Sequence, residues 1–433
     1  MTSRSAAYDS LLKFETKKIY SNIEIDNLLK RTDLDQRDAS LYTLLVYGVI
    51  SKKITLDYII TKISGRNVKR LDSAVLTLLR LGIYQIKYCD RIPNSAAVNE
   101  TVKLSSRYAS RAKCFVNAVL RRACDFDIDY SFDTVEEEIS VRYSVSLDIV
   151  KMLIEQYGED STRKILEFFD SPPKLTLTTN TLKTSREDLK EYIFRSCRGF
   201  YTPLAIRMLD SVPVSTIKQI DKGLCYVQDE ASQVAAEILD AKPGMHVADV
   251  CSCPGGKSFY TAIKMNNEGI LYSFDIHGNK LSLIESGAER LGITIIKTEE
   301  RDGRFPREDL YGTLDRVLCD VPCSGIGVIG KKPDIRHKTY DDLKDLPEIQ
   351  YDILSASSRY VKEGGILVYS TCTLNKKENE DVVKRFLSRR TEFSPLDFKL
   401  GFVESQDGMA TLLPHERKTD GFFVARFIKN STH

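Results

Sequence analysis

Several common signals are absent from the 433-residue sequence. No apolar run reaches the roughly 18 residues that span a membrane, so no transmembrane helix is predicted. The stretch from Met1 to Asp9 lacks the apolar centre of a secretory signal. Internal repeats and low-complexity tracts are also missing. We therefore expect a cytoplasmic protein with no membrane partner, in which the 10 cysteines stay reduced.

A zinc-binding cysteine pattern is missing as well. Cys251 and Cys253 are separated by a single residue, which is closer than the usual C-x2-4-C pair, and no second pair follows. The sequence therefore predicts no metal site.

The sequence does contain an uneven distribution of charge. The net charge is only +2, but residues 1–124 hold 22 Lys and Arg against 11 Asp and Glu, a net of +11. The remainder carries a net of −9. A basic N-terminal region on an acidic body indicates a polyanion such as nucleic acid as its partner. The alternative is a lysine-rich helical surface that is simply solvated.

Hydrophobic periodicity divides the chain into three regions. Residues 1–140 have the apolar spacing of packed helices and predict an all-α bundle. Residues 141–235 predict a helical connector followed by a small α+β domain. Residues 236–430 alternate strand and helix, which indicates a doubly wound parallel sheet. The predicted strands of this last region are His246–Val250, Ile270–Asp275, Ile293–Lys297, Leu314–Asp320, Ile366–Tyr369 and Gly421–Ile428.

A glycine-containing loop follows the first of these strands. Gly255 and Gly256 let the backbone approach a ligand, and Asp275 follows Gly255 by 20 positions, the spacing of an acid that binds a ribose diol. Asp302 and Asp320 follow later strands and are predicted to lie at the same edge. The loop matches neither the dinucleotide motif nor the P-loop motif. S-adenosylmethionine, which has no phosphate, fits better, with Asp249 and Asp320 facing its positive charges.

Two cysteines are predicted to meet at this edge. Cys323 follows the fourth strand, and Cys372 follows Ile366–Tyr369. A thiolate that adds to C6 of cytosine makes C5 able to take a methyl group, a second thiol can assist release, and Asp320 can contact the N3–N4 edge of the base. The alternatives are a buried, unreactive Cys372 and a redox disulfide, although the spacing is not C-x-x-C.

Longer motifs resemble the Sun/NSUN family of RNA 5-methylcytosine methyltransferases. The matching segments are Gln228–Ser232, Asp249–Ser258, Asp320–Gly325, Pro333-Asp334, Ser370–Thr373 and Thr419–Phe427. The resemblance implies a Rossmann-like class I methyltransferase domain, Cys372 as nucleophile and Cys323 in product release. It also implies that S-adenosylmethionine is held by Cys251, Ser252, Cys253, Pro254, Gly255, Gly256, Lys257, Asp275, Asp302 and Asp320.

The N-terminal region resembles the NusB family of RNA-binding proteins. The match covers Leu71–Tyr84, Ala97–Val102 and Phe115–Arg122 in family order. It implies RNA contacts at Arg121 and Arg122; the alternative for both is pairing with a helix C-terminal dipole. Asn180, in the connecting region, is a further expected RNA contact.

Together the two matches resemble the bacterial RsmB/Sun branch of the family. This implies a monomer that methylates C5 of a cytosine in 16S rRNA, cytosine 967, either in naked RNA or in an early assembly particle. The alternatives are a cytosine-C5 methyltransferase for tRNA or another RNA, and a non-catalytic RNA-binding or ribosome-assembly factor. Three departures from the family pattern are Ser252-Cys253 for Ala-Ala, Ser258 for Thr, and Thr178 for an Arg.

Overall fold

A computed structural model describes residues 2–17, 21–32, 34–210 and 212–431. The chain forms two compact units. The first unit comprises Met1–Leu166 and Lys332–Tyr340, and the second comprises Glu167–Lys331 and Asp341–His433. Among the residues that the structure describes, no helix is long and apolar enough to cross a membrane.

The first unit is a bundle of helices, which are α1 Ser3–Lys17, α2 Ser21–Arg31, α3 Gln36–Ser51, α4 Lys53–Ser64, α5 Ser73–Tyr88, α6 Asn94–Tyr108, α7 Lys113–Cys124, α8 Val135–Tyr143 and α9 Leu147–Asp170. The last of these runs past the end of the unit and is interrupted at Gly158, where φ is +79°. Short 3-10 helices lie at Val68–Arg70 and Ser110–Ala112.

Helix α5 is the centre of this bundle. Asp72 caps its first turn by accepting from the backbone N–H groups of Ala74 and Val75, and every residue from Val75 to Gln85 is buried. A helix that is buried all round must pack on several neighbours. The buried Arg80 is matched by carboxylates, because its guanidinium pairs with Asp57 at 2.6 Å and with Glu15 at 2.9 Å.

A short segment from late in the chain completes the first unit. Asp334 accepts hydrogen bonds from the backbone N–H and the hydroxyl of Ser21, at 3.1 and 2.6 Å, and so caps the start of α2. His337 Nε2 lies 2.7 Å from the carbonyl oxygen of Ile50. Residues 332–340 thus fold with the helices of the first unit, although the sequence places them in the region 236–430. The proposed domain limits at 140 and 235 stay predictions.

The second unit contains a small antiparallel sheet of order β2-β3-β1-β4. Its strands are β1 Thr176–Thr179, β2 Ser196–Arg198, β3 Ala205–Met208 and β4 Cys225–Val227. Helices α10 Arg186–Tyr192, α11 Lys218–Asp221 and α12 Glu230–Ile238, with a 3-10 helix at Val214–Thr216, accompany it.

A larger mixed sheet forms the rest of this unit, in the order β10-β14-β9-β8-β5-β6-β7 with β13 also paired to β14. The strands are β5 His246–Asp249, β6 Ile270–Asp275, β7 Ile296–Glu300, β8 Leu314–Asp320, β9 Val361–Thr371, β10 Phe393–Pro395, β13 Met409–Leu412 and β14 Phe422–Lys429. A separate pair is β11 Lys399–Leu400 with β12 Val403–Glu404.

Helices cover this sheet between its strands. They are α13 Gly256–Lys264, α14 Gly278–Leu291, α15 Leu346–Ser357, α16 Glu380–Arg389 and α17 Pro414–Arg417. Further 3-10 turns lie at Glu308–Leu310, Ile326–Val328, Pro333–His337, Tyr340–Asp342 and Ser358–Tyr360.

The predicted alternation of strand and helix is confirmed, although the direction of one strand and several strand ends differ from the prediction. β14 pairs antiparallel with β9, so the sheet is not wholly parallel. β7 begins at Ile296 instead of Ile293. β9 begins before Gly364, which lies inside the strand with φ +70°, beside a register shift between Leu314 and Arg316. Gly364 therefore marks an irregularity within the strand, as glycine in a strand often does.

Candidate active site

The carboxyl ends of the parallel strands bring the predicted acids to one edge of the large sheet. Asp249, Asp275 and Asp320 are the last residues of β5, β6 and β8. Asp320 is directly paired with Ser370 near the end of β9. This is the edge at which open α/β sheets bind ligands, so the strand order alone places these acids around one site.

The glycine loop between β5 and α13 depends on its lack of side chains. Gly255 has φ +107°, and a Cβ there would lie 2.6 Å from the ring of Phe259. The loop is fixed from outside, because the backbone N–H of Cys253 donates to Asp275 Oδ2 at 3.0 Å and the Tyr226 hydroxyl donates to the Gly256 carbonyl at 3.0 Å. The first amides of α13 therefore remain at the sheet edge beside the acids.

Asp249 is a buried acid with one unsatisfied oxygen. Its Oδ2 accepts from the Ser258 hydroxyl at 2.7 Å, whereas Oδ1 is buried and has no hydrogen-bond partner among the described residues. Burial raises the pKa of Asp249 to about 7, and the nearby charge of Asp320 adds to the effect. A positive charge placed beside Oδ1 would compensate the buried carboxylate.

The two other acids differ in what they offer a ligand. Asp275 is 8% exposed, and its two oxygens accept backbone N–H groups from Cys253 and His277. Asp302 is bound by its neighbour Arg304, whose guanidinium approaches Oδ2 at 2.6 Å. That hydrogen bond lowers the pKa of Asp302. In this structure Asp275 therefore holds the glycine loop directly, while Asp302 is engaged with an arginine.

The loop lysine forms an ion pair in the site. Lys257 Nζ lies 2.7 Å from Asp320 Oδ2, and the Ser370 hydroxyl donates to Asp320 Oδ1 at 2.7 Å. Burial lowers the pKa of Lys257, but the charge and hydrogen bond of Asp320, with Asp249 and the Cys372 sulfur, outweigh it and raise the pKa. Lys257 is therefore a positive charge paired with Asp320 and near enough to Asp249 and the Cys372 sulfur to be influenced by both.

The two predicted cysteines meet. Cys323 Sγ and Cys372 Sγ lie 3.1 Å apart, within hydrogen-bond distance, and neither forms a disulfide. The backbone of Cys372 is held by Gly327, whose N–H donates to the Cys372 carbonyl at 3.0 Å. The hydrogen bond with Cys372, followed by burial, raises the pKa of Cys323. Cys323 is thus the thiol that keeps its proton, directed toward the Cys372 sulfur.

The sequence did not single out the residues that support these thiols. Glu378 is fully buried, and its carboxylate accepts hydrogen bonds from the backbone of Ser324 and the side chains of Gln350 and Asn375. A buried carboxylate needs such donors. The signal available in the sequence was an acid six positions after Cys372 at the start of a helical pattern, which is equally typical of a helix cap.

The predicted RNA contacts have different environments. Arg121 and Arg122 are exposed in the last turn of α7, and Arg122 also donates to the Ile63 carbonyl at 3.3 Å. Asn180 is buried, and its amide nitrogen donates to the carbonyls of Gly223 and Leu291, both at 2.8 Å. The structure therefore gives no support for an RNA contact at Asn180. Thr178 is likewise buried and donates to Gln228.

Comparison with known proteins places the chain in a family. Residues 236–428 match the family model described as 16S rRNA methyltransferase RsmB/F, and residues 1–125 match the NusB family. A Bacillus subtilis protein described as a probable ribosomal RNA small subunit methyltransferase B is 36% identical over 442 residues, which cover 98% of both chains. The chain belongs to the RsmB family of rRNA methyltransferases. The resemblance seen in the sequence motifs is thereby confirmed.

Solved structures agree with this RsmB family assignment. The crystal structure of PH0851 superposes with a TM-score of 0.84 at 25% identity and covers 99% of each chain. A methyltransferase homolog from Pyrococcus horikoshii has a TM-score of 0.60 at 27% identity, covering 69% of this chain and 100% of its own. The predicted fold class, a NusB-like helical domain followed by a Rossmann-like methyltransferase domain, is confirmed.

Proposed function

We propose that the protein transfers a methyl group from S-adenosylmethionine to C5 of a cytosine in 16S rRNA through a transient covalent bond to Cys372. The observation that carries this proposal is the 3.1 Å approach of Cys323 and Cys372 at the sheet edge that also holds the glycine loop. A thiol pair beside a buried acid with an unsatisfied oxygen has the parts that this reaction needs: a nucleophile, a group for release, and a site for a cationic methyl donor.

The residues at the sheet edge fit S-adenosylmethionine. Asp249 Oδ1, buried and unsatisfied, suits a positive charge. Gly255 and Gly256 give a ligand close access to the backbone. Asp275 accepts one backbone N–H at each oxygen, and its remaining acceptor sites suit hydroxyl groups of a ribose. When bound, S-adenosylmethionine would supply an electrophilic methyl group and leave as the neutral thioether S-adenosylhomocysteine. Asp302 would contact S-adenosylmethionine only after its ion pair with Arg304 is broken.

Cys372 begins the reaction as a thiolate. Its sulfur forms a bond to C6 of cytosine, and the electrons of the C5–C6 double bond then form the new bond from C5 to the methyl carbon. Afterwards a base removes the proton from C5, the double bond returns, and the C6–S bond breaks to restore the Cys372 thiolate. No atom of the protein is oxidised or reduced. The charge of Lys257 favours the thiolate form of Cys372.

Cys323 assists the release. In the free enzyme it keeps its proton chiefly because of the hydrogen bond with Cys372. Once Cys372 is bonded to C6, its sulfur no longer carries the charge that holds this proton, so the pKa of Cys323 falls. The Cys323 thiolate, directly or through water, then takes the C5 proton. This sequence explains why two thiols at one site serve two different steps.

Asp320 orients the base. Lys257 and the Ser370 hydroxyl fix its two oxygens at 2.7 Å each. A carboxylate has about four acceptor sites, so Asp320 can still accept from the exocyclic amino group of cytosine at the N3–N4 edge. Uracil has a carbonyl there and would face the carboxylate unfavourably, which supports cytosine as the base.

The choice of RNA is supported by relatives and by charge. The B. subtilis relative is described as acting on the small-subunit RNA, and the N-terminal region carries a net charge of +11. Both observations favour 16S rRNA as the substrate. That the enzyme is cytoplasmic and monomeric, and that its target is cytosine 967, we propose on the family resemblance alone.

Methylation of purified rRNA tests this function. Wild-type protein with S-adenosylmethionine and 16S rRNA should produce 5-methylcytosine, identified by mass spectrometry of nucleosides, with its position given by bisulfite sequencing. Cys372→Ala should abolish the product, because no other residue supplies the C6 bond, whereas the surface variant Cys114→Ala should match wild type. Methylation of tRNA in preference to 16S rRNA, or full activity of Cys372→Ala, would contradict the proposal.

A further inference from the structure

The geometry points to Glu378 as the positioning residue that sets the loop of Cys323 against Cys372 for the release step. This inference rests on the proposed function, because release is a step of the covalent reaction. Glu378 itself does not touch the reacting atoms, and no transfer of a proton through it is involved.

The carboxylate of Glu378 holds the chain on one side of Cys323. Its Oε2 accepts from the backbone N–H of Ser324 at 2.8 Å and from the Gln350 amide at 2.9 Å, and its Oε1 accepts from the Asn375 amide at 3.0 Å. All three partners are donors, so only a carboxylate satisfies them together. In Glu378→Gln, the new NH2 group would replace an acceptor and face one of these N–H groups.

Gln350 holds the other side of Cys323. Its fully buried amide nitrogen donates both to Glu378 and to the Pro322 carbonyl, at 3.0 Å for the latter. Pro322 and Ser324, the two neighbours of Cys323, are therefore both connected to Glu378. Moving this carboxylate would move the short segment that carries the Cys323 sulfur.

The turn that contains Glu378 is fixed to the strand that carries Cys372. The Tyr369 hydroxyl donates to the Glu378 carbonyl at 2.6 Å. The neighbouring Asn379 accepts from the Thr371 hydroxyl at 2.6 Å and donates to the Thr373 carbonyl at 3.0 Å. One turn thus connects both cysteine loops, and the distance between the sulfurs follows from it.

The charge of Glu378 supports the same division of roles. It lies close enough to Cys323 to help raise the pKa of that thiol, after the larger effects of Cys372 and burial. Glu378 therefore adds a small share to the effects that keep Cys323 protonated, in addition to holding the loop in place.

The ratio of covalent RNA–protein adduct to released product tests the role of Glu378 in catalysis. Full-length Glu378→Gln, incubated with S-adenosylmethionine and rRNA, should release product about tenfold more slowly, the effect of one misplaced buried hydrogen bond. Its denaturant-resistant RNA–protein adduct should accumulate, as in Cys323→Ala, and the double variant should resemble Cys323→Ala alone. Glu378→Asp, which keeps the charge, should restore part of the release. Equal loss of adduct and product, or wild-type behaviour, would overturn the inference.

Glu380→Gln is the matched control. This acid lies two positions along and contacts Thr411 at 3.4 Å instead of the cysteine loops, so it should leave the partition unchanged. If Glu378→Gln does not fold by circular dichroism, Gln350→Met takes its place. It removes the contact to Pro322 and should also accumulate adduct.

A second assay measures the position of the thiols without any methyl transfer. Diamide oxidises two thiols to a disulfide and takes up their two protons and two electrons. In the wild-type protein the 3.1 Å separation should make the Cys323–Cys372 bond the fastest to form, as measured by peptide mass spectrometry. In Glu378→Gln its formation should slow by about tenfold, and an unchanged rate would overturn the positioning role. Failure of the wild-type protein to methylate RNA would instead refute the proposed function, and the oxidation rates would still decide the role of Glu378.

Discussion

At the scale of single residues, the site combines charges that compensate one another only in part. Lys257 neutralises Asp320 at 2.7 Å, but Asp249 is 1% exposed and has one oxygen without a partner among the described residues. Burying an uncompensated carboxylate is costly, and the raised pKa of Asp249 reflects that cost. A cation bound beside this oxygen of Asp249 would therefore compensate the buried charge.

Binding of S-adenosylmethionine should depend on pH through Asp249. With a pKa of about 7, the acid is protonated at lower pH and becomes the anion as the pH rises. A cation favours the anion, so the affinity measured by calorimetry should rise toward pH 7, by at most about tenfold per pH unit. Asp249→Asn should bind weakly and lose this slope.

The control for that experiment is Asp302→Asn. Arg304 lowers the pKa of Asp302. Replacing Asp302 should therefore leave the dependence of cofactor affinity on pH unchanged above pH 5. The raised pKa of Asp249 also affects stability. The native state binds the Asp249 proton more tightly than the unfolded state, so the free protein loses stability as the pH rises from about 4 to about 7. A pH-independent affinity in the wild type would argue against a cation at Asp249.

Residue-level prediction from sequence succeeded where chain order determines position. Asp320 ends one strand, Cys323 follows that strand and Cys372 follows the next. Parallel neighbours bring such residues to one edge. Glu378 was not predicted, because its role depends on contacts with Ser324 and Gln350, which lie 54 and 28 positions away. The environment of Asn180, which is buried between Gly223 and Leu291, could likewise not be read from its local pattern.

At the scale of elements, the cysteine loops depend on a close approach of two glycines. The Gly421 N–H donates to the Gly327 carbonyl at 2.8 Å, while the Gly327 N–H donates to the Cys372 carbonyl at 3.0 Å. A Cβ on Gly327 would lie 1.9 Å from the Gly421 carbonyl oxygen. The start of β14 and the loop after β8 can therefore hold Cys372 between them only without side chains at these positions.

Gly327→Ala should consequently damage catalysis more than stability. The clash must shift the backbone that holds Cys372, and a displacement of about 1 Å at a reacting group costs roughly 100-fold in rate. The overpacking itself costs about 1–3 kcal/mol in the free energy of unfolding. Methylation rate and melting temperature measure the two effects.

Gly330→Ala is the comparison, because a Cβ there would lie 3.2 Å from the nearest atom, the Phe169 carbonyl oxygen. That contact is tight but needs only a small adjustment, so near-normal methylation is expected. If Gly327→Ala also methylates normally, the two glycines do not position Cys372.

Element boundaries were predicted less well than element types. β6 and β8 begin and end at the predicted residues, and each ends in an acid that marks its carboxyl end. β9 extends back to Val361 through Gly364, because its pairing with β8 continues past the irregularity at Gly364. Residue propensity alone would predict a strand boundary there. The antiparallel direction of β14 arises from its pairing with β9, which no local pattern encodes.

At the scale of the whole molecule, charge is separated along the chain. Residues 1–124 carry a net of +11 in a protein whose total is +2, and Arg121 and Arg122 present exposed side chains at the end of α7. Such a region favours phosphates without selecting a sequence. In the function proposed above, the active site would select the base and the helical unit would bind the RNA backbone.

Replacing Arg121 and Arg122 together by Ala should weaken RNA binding and leave chemistry intact. Two lost phosphate contacts should lower the slope of log affinity against log salt by about 1–2. Fluorescence anisotropy at several salt concentrations measures this slope. The methylation rate at saturating RNA should not change.

Lys399→Ala, an exposed lysine paired with Glu404 in the second unit, serves as the control. If the two arginines instead serve the dipole of α7, the double variant should lower the melting temperature and leave the salt slope at its wild-type value.

The membership of residues 332–340 in the first unit was beyond sequence analysis. Pro333 and Asp334 could be recognised as a family motif, but the cap that Asp334 provides to Ser21 joins positions 313 apart. Periodicity reports on faces within an element, whereas such pairing depends on the tertiary fold. The type of each unit could therefore be predicted from the sequence, but the membership of residues 332–340 in the first unit could not.

The most direct test of the account identifies the residue that bonds to RNA. Cys323→Ala should be incubated with S-adenosylmethionine and 16S rRNA, digested with nuclease and protease, and analysed by mass spectrometry. We predict a methylated cytidine attached to the peptide that contains Cys372, at near-stoichiometric yield. An adduct on any other cysteine, or the same adduct formed when Cys372 is also replaced by Ala, would contradict the assignment of Cys372 as the nucleophile.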